Sequence, residues 1–339
     1  MVIDVHAHAH ALSEEVVCRM ASTPGFGWPL EATGPRGYRY AGGNPLDPLI
    51  YDLDARLVVM DQNRVTLQLL SPPPSVIANG DKVVGLDEAR IFNQSTAWLV
   101  ANGNGRLAGF AVPALGEPAL AADELRRAVE HDGFVGVVLS TAAGPLPLDH
   151  PAFEPLFAAI ETLDLLVFMH PTSSALSVAQ TDYTLRTLVG WPTETTIAVT
   201  RLIFAGVLER HPRLKIVLSH GGGTLANLAG RLDLGWSAPR YEANAACRAN
   251  ITRAPSSYLK VLYYDTVVAD PAVLDFLVKA YGSDHVLFGT DFPYEIGDAD
   301  GALAMPALDR LPDADRAKIM SGNALKLLGR HTQNLGSAV

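Results

Sequence analysis

The stretch VIDVHAHAH (Val2–His10) is a short apolar run that ends in three histidines at alternate positions. Side chains two apart on a strand share a face, so His6, His8 and His10 point the same way. Apolar runs of similar strand character recur along the chain. They are VTLQLLS (65–71), RLAGFAVP (106–113), FVGVVLS (134–140), LLVFMH (165–170), KIVLSH (215–220), KVLYYDT (260–266) and HVLFGTD (285–291). With VIDVH (2–6) they make eight strands. Helical patterns such as EPALAADELRRAVEH and PAFEPLFAAIETL lie between most of them. Eight strands alternating with helices predict an α/β fold, a parallel (β/α)8 TIM barrel.

Two stretches break the alternation. Residues 12–50 carry Gly25, Gly27, Gly34, Gly37, Gly42 and Gly43 with several prolines and aromatics. This is too long for an ordinary loop. It reads as an insertion after strand one that caps the barrel mouth. Residues 241–258 read as a helix followed by a loop. The tail DADRAKIMSGNALKLLG reads as two short helices with Gly329 as C-terminal cap. The chain is expected to be a single barrel domain over 1–339, with 12–50 as its cap.

Composition narrows the function. Of 339 residues, 48% are hydrophobic and 18% charged, which allows a large core and argues against disorder. A net charge of -10 argues against nucleic acid as a partner. An anionic small molecule would need local arginines. Cys18 and Cys247 are too few for a disulfide framework, and a reducing cytoplasm is the simpler expectation. No apolar run reaches about 18 residues, so no membrane span is expected.

The polar residues fall where a barrel gathers its chemistry. Strand one leads into His6 and His8, strand five ends at His170, strand six at His220, and strand eight at Asp291. Those strand ends converge on the C-terminal face. A histidine-rich set with one carboxylate suits Zn²⁺ or a similar first-row divalent ion. His10 lies beyond the expected strand, in a loop or supporting position. His211, in ERHPRLK, is expected at the surface. The glycines of SHGGG (219–223) suit a tight turn that starts a helix, a close approach for a bound anion at that helix N-terminus, or both.

Together, VIDVHAHAH, FMHPT, LSHGGG and LFGTDFPY resemble motifs of the amidohydrolase superfamily, and more narrowly its aminocarboxymuconate semialdehyde decarboxylase branch. The stretches DARLVVMDQNRVTLQLLS, LVGWPTETTIAVTRLIFAGVLERHPRLKIVLSHGGG and GNALKLLG extend the resemblance over nearly the whole chain, most weakly over 12–50. The resemblance implies that His6, His8, His170 and Asp291 bind one divalent metal, most simply Zn with Mn as the alternative, with water at the open position. It makes His220 the acid–base group. Strand four ends VVLSTAAG, without the lysine or glutamate that bridges two metals elsewhere in the superfamily, so a single metal is expected. His-x-His in place of Glu-x-His leans toward the aminocarboxymuconate type.

The same resemblance places Arg231 near a partner's active site across a homodimer interface, holding a substrate carboxylate. The alternative is a surface arginine paired with Asp233. Arg39, in GYRY, matches a second carboxylate-binding arginine. Tyr294 is a candidate pocket residue, and Trp191 either lines the pocket or packs in the core. The implied reaction is non-oxidative decarboxylation of an unsaturated or aromatic acid, with Asp291 helping to relay the proton. A metal-dependent hydrolase of an ester, lactone or amide and a hydratase are the competing readings.

Overall fold

The computed structural model describes residues 1–23, 26–27, 29–34, 37–41, 45–173, 182–238 and 242–335. Eight strands form one parallel sheet in chain order: β1 (Ile3–His8), β2 (Leu67–Ser71), β3 (Leu107–Ala111), β4 (Gly136–Ser140), β5 (Leu166–His170), β6 (Lys215–Leu218), β7 (Tyr263–Asp265) and β8 (Val286–Leu287). Beyond β8 the chain returns to β1. Val5 N donates to Phe288 O at 3.0 Å, Asp291 N to His6 O at 2.8 Å, and His8 N to Phe292 O at 2.7 Å. This return closes the barrel and carries Asp291 to the histidines.

The strands are buried on both faces, as a parallel sheet covered by helices requires. Alternation along β5 sets two environments. Val167 and Met169 pack outward with Phe157 and Leu202. Phe168 points inward, stacked on Phe110 at 5.5 Å, and His170 follows it on the same face.

All eight expected strands form, with shifted ends. β1 runs two residues further than expected, through His8. β6 stops at Leu218 and β8 at Leu287, so His220 and Asp291 lie past their strands rather than at the ends. Both occupy left-handed backbone, with φ of 53° and 60°. For residues other than glycine that conformation is costly and is typical of functional turns.

Within 12–50 the chain forms a helix (Glu14–Ser22), a two-stranded antiparallel hairpin (Leu30–Gly34 with Gly37–Tyr40) and a short 3-10 turn (Pro48–Ile50). Ser13 caps the helix through Val16 N. Gly25, Gly42 and Gly43 fall outside the described residues. In place of the helix and loop expected at 241–258 there are a 3-10 segment (Glu242–Cys247) and a short helix (Pro255–Leu259), with Tyr241 outside the described residues. The two tail helices, Asp313–Ala317 and Asn323–Leu328, are continuous through a π-helical turn, Lys318–Gly322. Gly329 follows them with φ of 51°. His211 is buried, not at the surface, with its Nε2 satisfied 2.9 Å from Glu154 Oε1. No helix among the described residues is long and apolar enough to cross a membrane.

Glu209 ties two of the shorter helices together. Its Oε1 accepts from the Tyr258 hydroxyl, and from Thr252 N and Oγ1 at 2.8 Å each. Those donors, Tyr258 foremost, bring the carboxyl down to about 2. A depressed acid stabilises the fold above its unfolded value and loses that contribution as pH falls through the folded one. Glu209→Gln is therefore expected to lower stability by about 1 kcal/mol at neutral pH. Thermal melts from pH 7 down to pH 2 should show that difference shrinking below about pH 4.5. A difference that persists unchanged at pH 2 would contradict the assignment.

Candidate metal centre

His6, His8, His170 and Asp291 offer ligand atoms that all lie within 4.8 Å of one another, and all four residues are buried. No other such group is present among the described residues. Nε2 of His6 and of His8 approach Asp291 Oδ1 at 3.1 and 3.0 Å, and Nε2 of His170 has no hydrogen-bond partner among the described residues. Three imidazole nitrogens and a carboxylate oxygen therefore converge on one point with little else to bind. The set fits a single divalent ion.

The far nitrogens explain the aim of each ring. His6 Nδ1 meets Asp265 Oδ2 at 2.7 Å. His8 Nδ1 lies 3.2 Å from Pro72 O and 3.0 Å from Ser71 Oγ. His170 Nδ1 meets Pro171 O at 2.8 Å. Carbonyl and carboxylate acceptors hold the proton on Nδ1, which leaves the Nε2 lone pair free for a metal. Asp265 was not singled out in the sequence, although it closes strand seven as Asp291 follows strand eight. Asp265 also accepts from Gly221 N at 2.9 Å, so one carboxylate fixes both His6 and the turn that carries His220.

A buried polar network supports the floor of the site. Asp4 accepts from His6 N at 3.0 Å, Gln68 Nε2 at 3.0 Å and Thr290 Oγ1 at 2.7 Å. Arg56 donates to Gln68 Oε1 at 2.7 Å, to Leu49 O at 2.9 Å and to His8 O. Burial pushes Asp4 up to about 6 and Arg56 down to about 10. The signal for Asp4 was the alternation Asp4, His6, His8. Arg56 carried no comparable signal, since nothing in its helix, LDARLVVMDQ, sets the arginine apart as buried.

The charges of the centre are coupled. Burial opposes charge on Asp291, yet His6, His220 and His8 hold its carboxyl well below the usual range. Burial also opposes a proton on His6, but Asp291 and Asp265 raise it to about 10. Burial lowers His8, and burial with the neighbouring imidazoles lowers His170 well below its ordinary value. Among the ligand histidines, His6 is thus the one whose surroundings favour the protonated form, while those of His8 and His170 favour the neutral one.

His220 stands at the rim. Its Nε2 lies 3.4 Å from Asp291 Oδ2, and its ring centre is 5.2 Å from His6 and 5.1 Å from His170. Its side chain is 17% exposed, where the ligand side chains are nearly sealed. The glycines after it make a tight turn rather than an anion cradle. The amides of Gly221, Gly222 and Gly223 go to Asp265, Ser219 O and His220 O. A Cβ at Gly223 would lie 2.2 Å from Pro192 O, and φ there is 65°. At Gly289, before the metal-binding acid, a Cβ would come within 2.9 Å of His6 Cβ.

A cavity of about 470 Å³ opens beside His220 and Asp291, walled by Trp191, Leu188, Val267 and Phe276. Trp191 thus lines the pocket, its indole donating to Ser173 Oγ at 3.2 Å. The Tyr294 ring centre is 5.3 Å from His8. Arg231 is exposed on the helix Leu225–Ser237 with no ion pair among the described residues, and Asp233 instead accepts from Ser256 N at 2.8 Å. Arg39 is not brought to the centre. It is exposed on the hairpin and paired with Glu31 at 2.7 Å, because strand alternation turns it away from the face that carries Tyr40. His10 makes no hydrogen bond to the ligands among the described residues and bonds Ser95 Oγ at 2.8 Å through Nδ1.

A family model described as Amidohydrolase matches residues 3–330. The chain belongs to the amidohydrolase family. Over 285 residues it is 29% identical to the 2-amino-3-carboxymuconate-6-semialdehyde decarboxylase of Dictyostelium discoideum, covering 84% of this chain and 78% of that protein. Identity to the gamma-resorcylate decarboxylase of Polaromonas sp. is 31%, over 81% of this chain and 86% of that one. Among solved structures, a dihydroxybenzoic acid decarboxylase from Polaromonas sp., with bound manganese and the inhibitor 2-nitroresorcinol, superposes with a TM-score of 0.70. Its identity is 25%, and 96% of each chain is covered.

Two outcomes follow for this amidohydrolase. Because the ion displaces the His6 proton, binding should release one proton per metal near neutrality, and affinity should rise about tenfold per pH unit from 6 to 8. Calorimetry in buffers of different ionisation enthalpy measures both, and release of three protons would contradict the neutral state of His8 and His170. Asp265→Asn should weaken metal affinity by about 10- to 100-fold while circular dichroism stays unchanged. Unaltered affinity would mean that His6 needs no orienting carboxylate.

Proposed function

We propose that this amidohydrolase removes the carboxylate of an aromatic acid without oxidation, using one divalent metal. The observation that carries the reading is the buried His6, His8, His170 and Asp291 set with His220 held at its rim. Decarboxylase relatives that span most of the chain favour it over hydrolysis or hydration. Three imidazoles and one carboxylate suit zinc, and manganese is the second choice because the Polaromonas structure holds it.

The ion, when bound, supplies Lewis-acid stabilisation of negative charge as it develops on the substrate. Asp291 Oδ2 orients His220 through Nε2. His220 delivers a proton to the ring carbon that bears the carboxylate. The electron pair of the carbon–carboxylate bond then returns to the ring, and CO₂ leaves. Trp191 and the apolar cavity wall hold the planar acid and exclude water. Tyr294, 5.3 Å from His8 between ring centres, is the further candidate contact for the acid.

The remaining assignments belong to the same proposal. Residues 12–50 cap the mouth of a single barrel domain. Arg231 grips a carboxylate in the partner's site of a homodimer. Its exposure and freedom from ion pairs among the described residues, and the 71% exposed Leu234 on the same helix, support that role. Arg39 joins the site only if its pair with Glu31 opens. The free thiols of Cys18 and Cys247 suit the reducing cytoplasm.

Measuring metal content together with CO₂ release across a panel of aromatic and unsaturated acids tests the reading. One ion per chain and CO₂ evolution are expected. His220→Asn should keep the ion and lose about 10²- to 10⁴-fold in kcat. An acid product without CO₂ would shift the assignment to hydrolysis.

A further inference from the structure

We propose that His10 and Tyr40, with Tyr294, form a second polar subsite that binds a neutral hydroxyl on the edge of the substrate remote from the reacting carboxylate. The proposal rests on the decarboxylase reading for where that carboxylate sits.

His10 continues the alternation of His6 and His8, roughly 6.6 Å further along at the usual rise of a strand. It is fully buried. Its Nδ1 is fixed by Ser95 Oγ, which is itself anchored by Ala11 N at 2.7 Å. Its Nε2 has no partner among the described residues, and neither does the enclosed hydroxyl of Tyr40. Two such atoms in one place are uncommon in folded proteins and call for a missing partner.

Their position links them to the metal centre. The Tyr294 ring is 5.3 Å from His8, Tyr40 is within electrostatic reach of Tyr294, and the Tyr40 ring is 6.3 Å from His10. The rings thus track from a metal ligand to the unpaired imidazole.

The surroundings choose the chemistry. Phe92 lies 5.3 Å from His10, with Phe26 behind it at 6.1 Å. The nearby guanidiniums are engaged elsewhere: Arg56 on Leu49, Gln68 and the His8 carbonyl, and Arg39 on Glu31. A carboxylate here would be buried without a counter-charge. A hydroxyl both donates and accepts, so it satisfies the phenol and either tautomer of His10.

Dissociation constants of benzoate, 3-hydroxybenzoate and 4-hydroxybenzoate for the metal-loaded protein test this, measured by calorimetry on wild type, Tyr40→Phe and His10→Phe. At least one hydroxybenzoate should bind wild type about tenfold or more tightly than benzoate. That gain should shrink to about two- to threefold in both variants, with benzoate affinity and metal content unchanged. Tyr40→Phe keeps the ring packing and decides the matter should His10→Phe disturb the fold. An equal gain in all three proteins, as an enclosed water alone would give, overturns the subsite, and so does no gain in wild type. Absence of CO₂ from every acid tested would overturn the decarboxylase reading separately, since the subsite is judged on the binding ratios.

Discussion

The carboxylate of Asp291 must stay charged in a place almost sealed from water. Burial alone would neutralise it. It remains ionised because His6, His8 and His220 surround it, and His6 and His8 stay in place because Asp265 and the Pro72 carbonyl hold their far sides. Asp291 would hold a metal together with His6, His8 and His170, and its Oδ2 lies 3.4 Å from His220 Nε2. The metal site and the rim histidine therefore meet at one side chain.

Barrel closure serves this arrangement directly. β8 is only two residues long, yet the chain beyond it remains tied to β1 by three backbone hydrogen bonds that straddle Asp291. Gly289 permits the close approach to His6, and Thr290 anchors the turn to Asp4. The strain of left-handed backbone at His220 and Asp291 is offset by these ties. What reads locally as an irregular strand end is the means of aiming a ligand.

Much of this was legible in the sequence because barrel strands announce themselves. Apolar runs ending in His6, His8, His170, His220 and Asp291 give both the fold and the convergence of the site, since topology alone brings strand ends together. The supporting residues are harder to read. Asp265 and Asp4 sit inside strand patterns, and a buried acid looks the same in sequence whether it orients an imidazole or caps a turn. Arg56 is more opaque still, because its three acceptors lie on three other segments. Arg39 was drawn in by its motif neighbourhood. Its actual partner, Glu31, is set by hairpin register, which the glycine-rich sequence specifies weakly.

The alternation of three histidines at and just beyond the end of β1 also divides labour. His6 and His8 have acceptors on Nδ1 and a cluster of ligands at Nε2. His10 has a serine at Nδ1 and aromatic rings around Nε2. The difference lies in what surrounds each ring, not in the residue. Near carboxylates an imidazole becomes a metal ligand. Against Phe92 and Tyr40, with no carboxylate to favour its charged form, burial pushes the same side chain down to about 3 and keeps it a neutral hydrogen-bonding group. A metal ion gains nothing from such a position, because it supplies one nitrogen and no counter-charge. The end of β1 and the two residues beyond it thereby present a metal-binding pair and a neutral polar imidazole within a few residues.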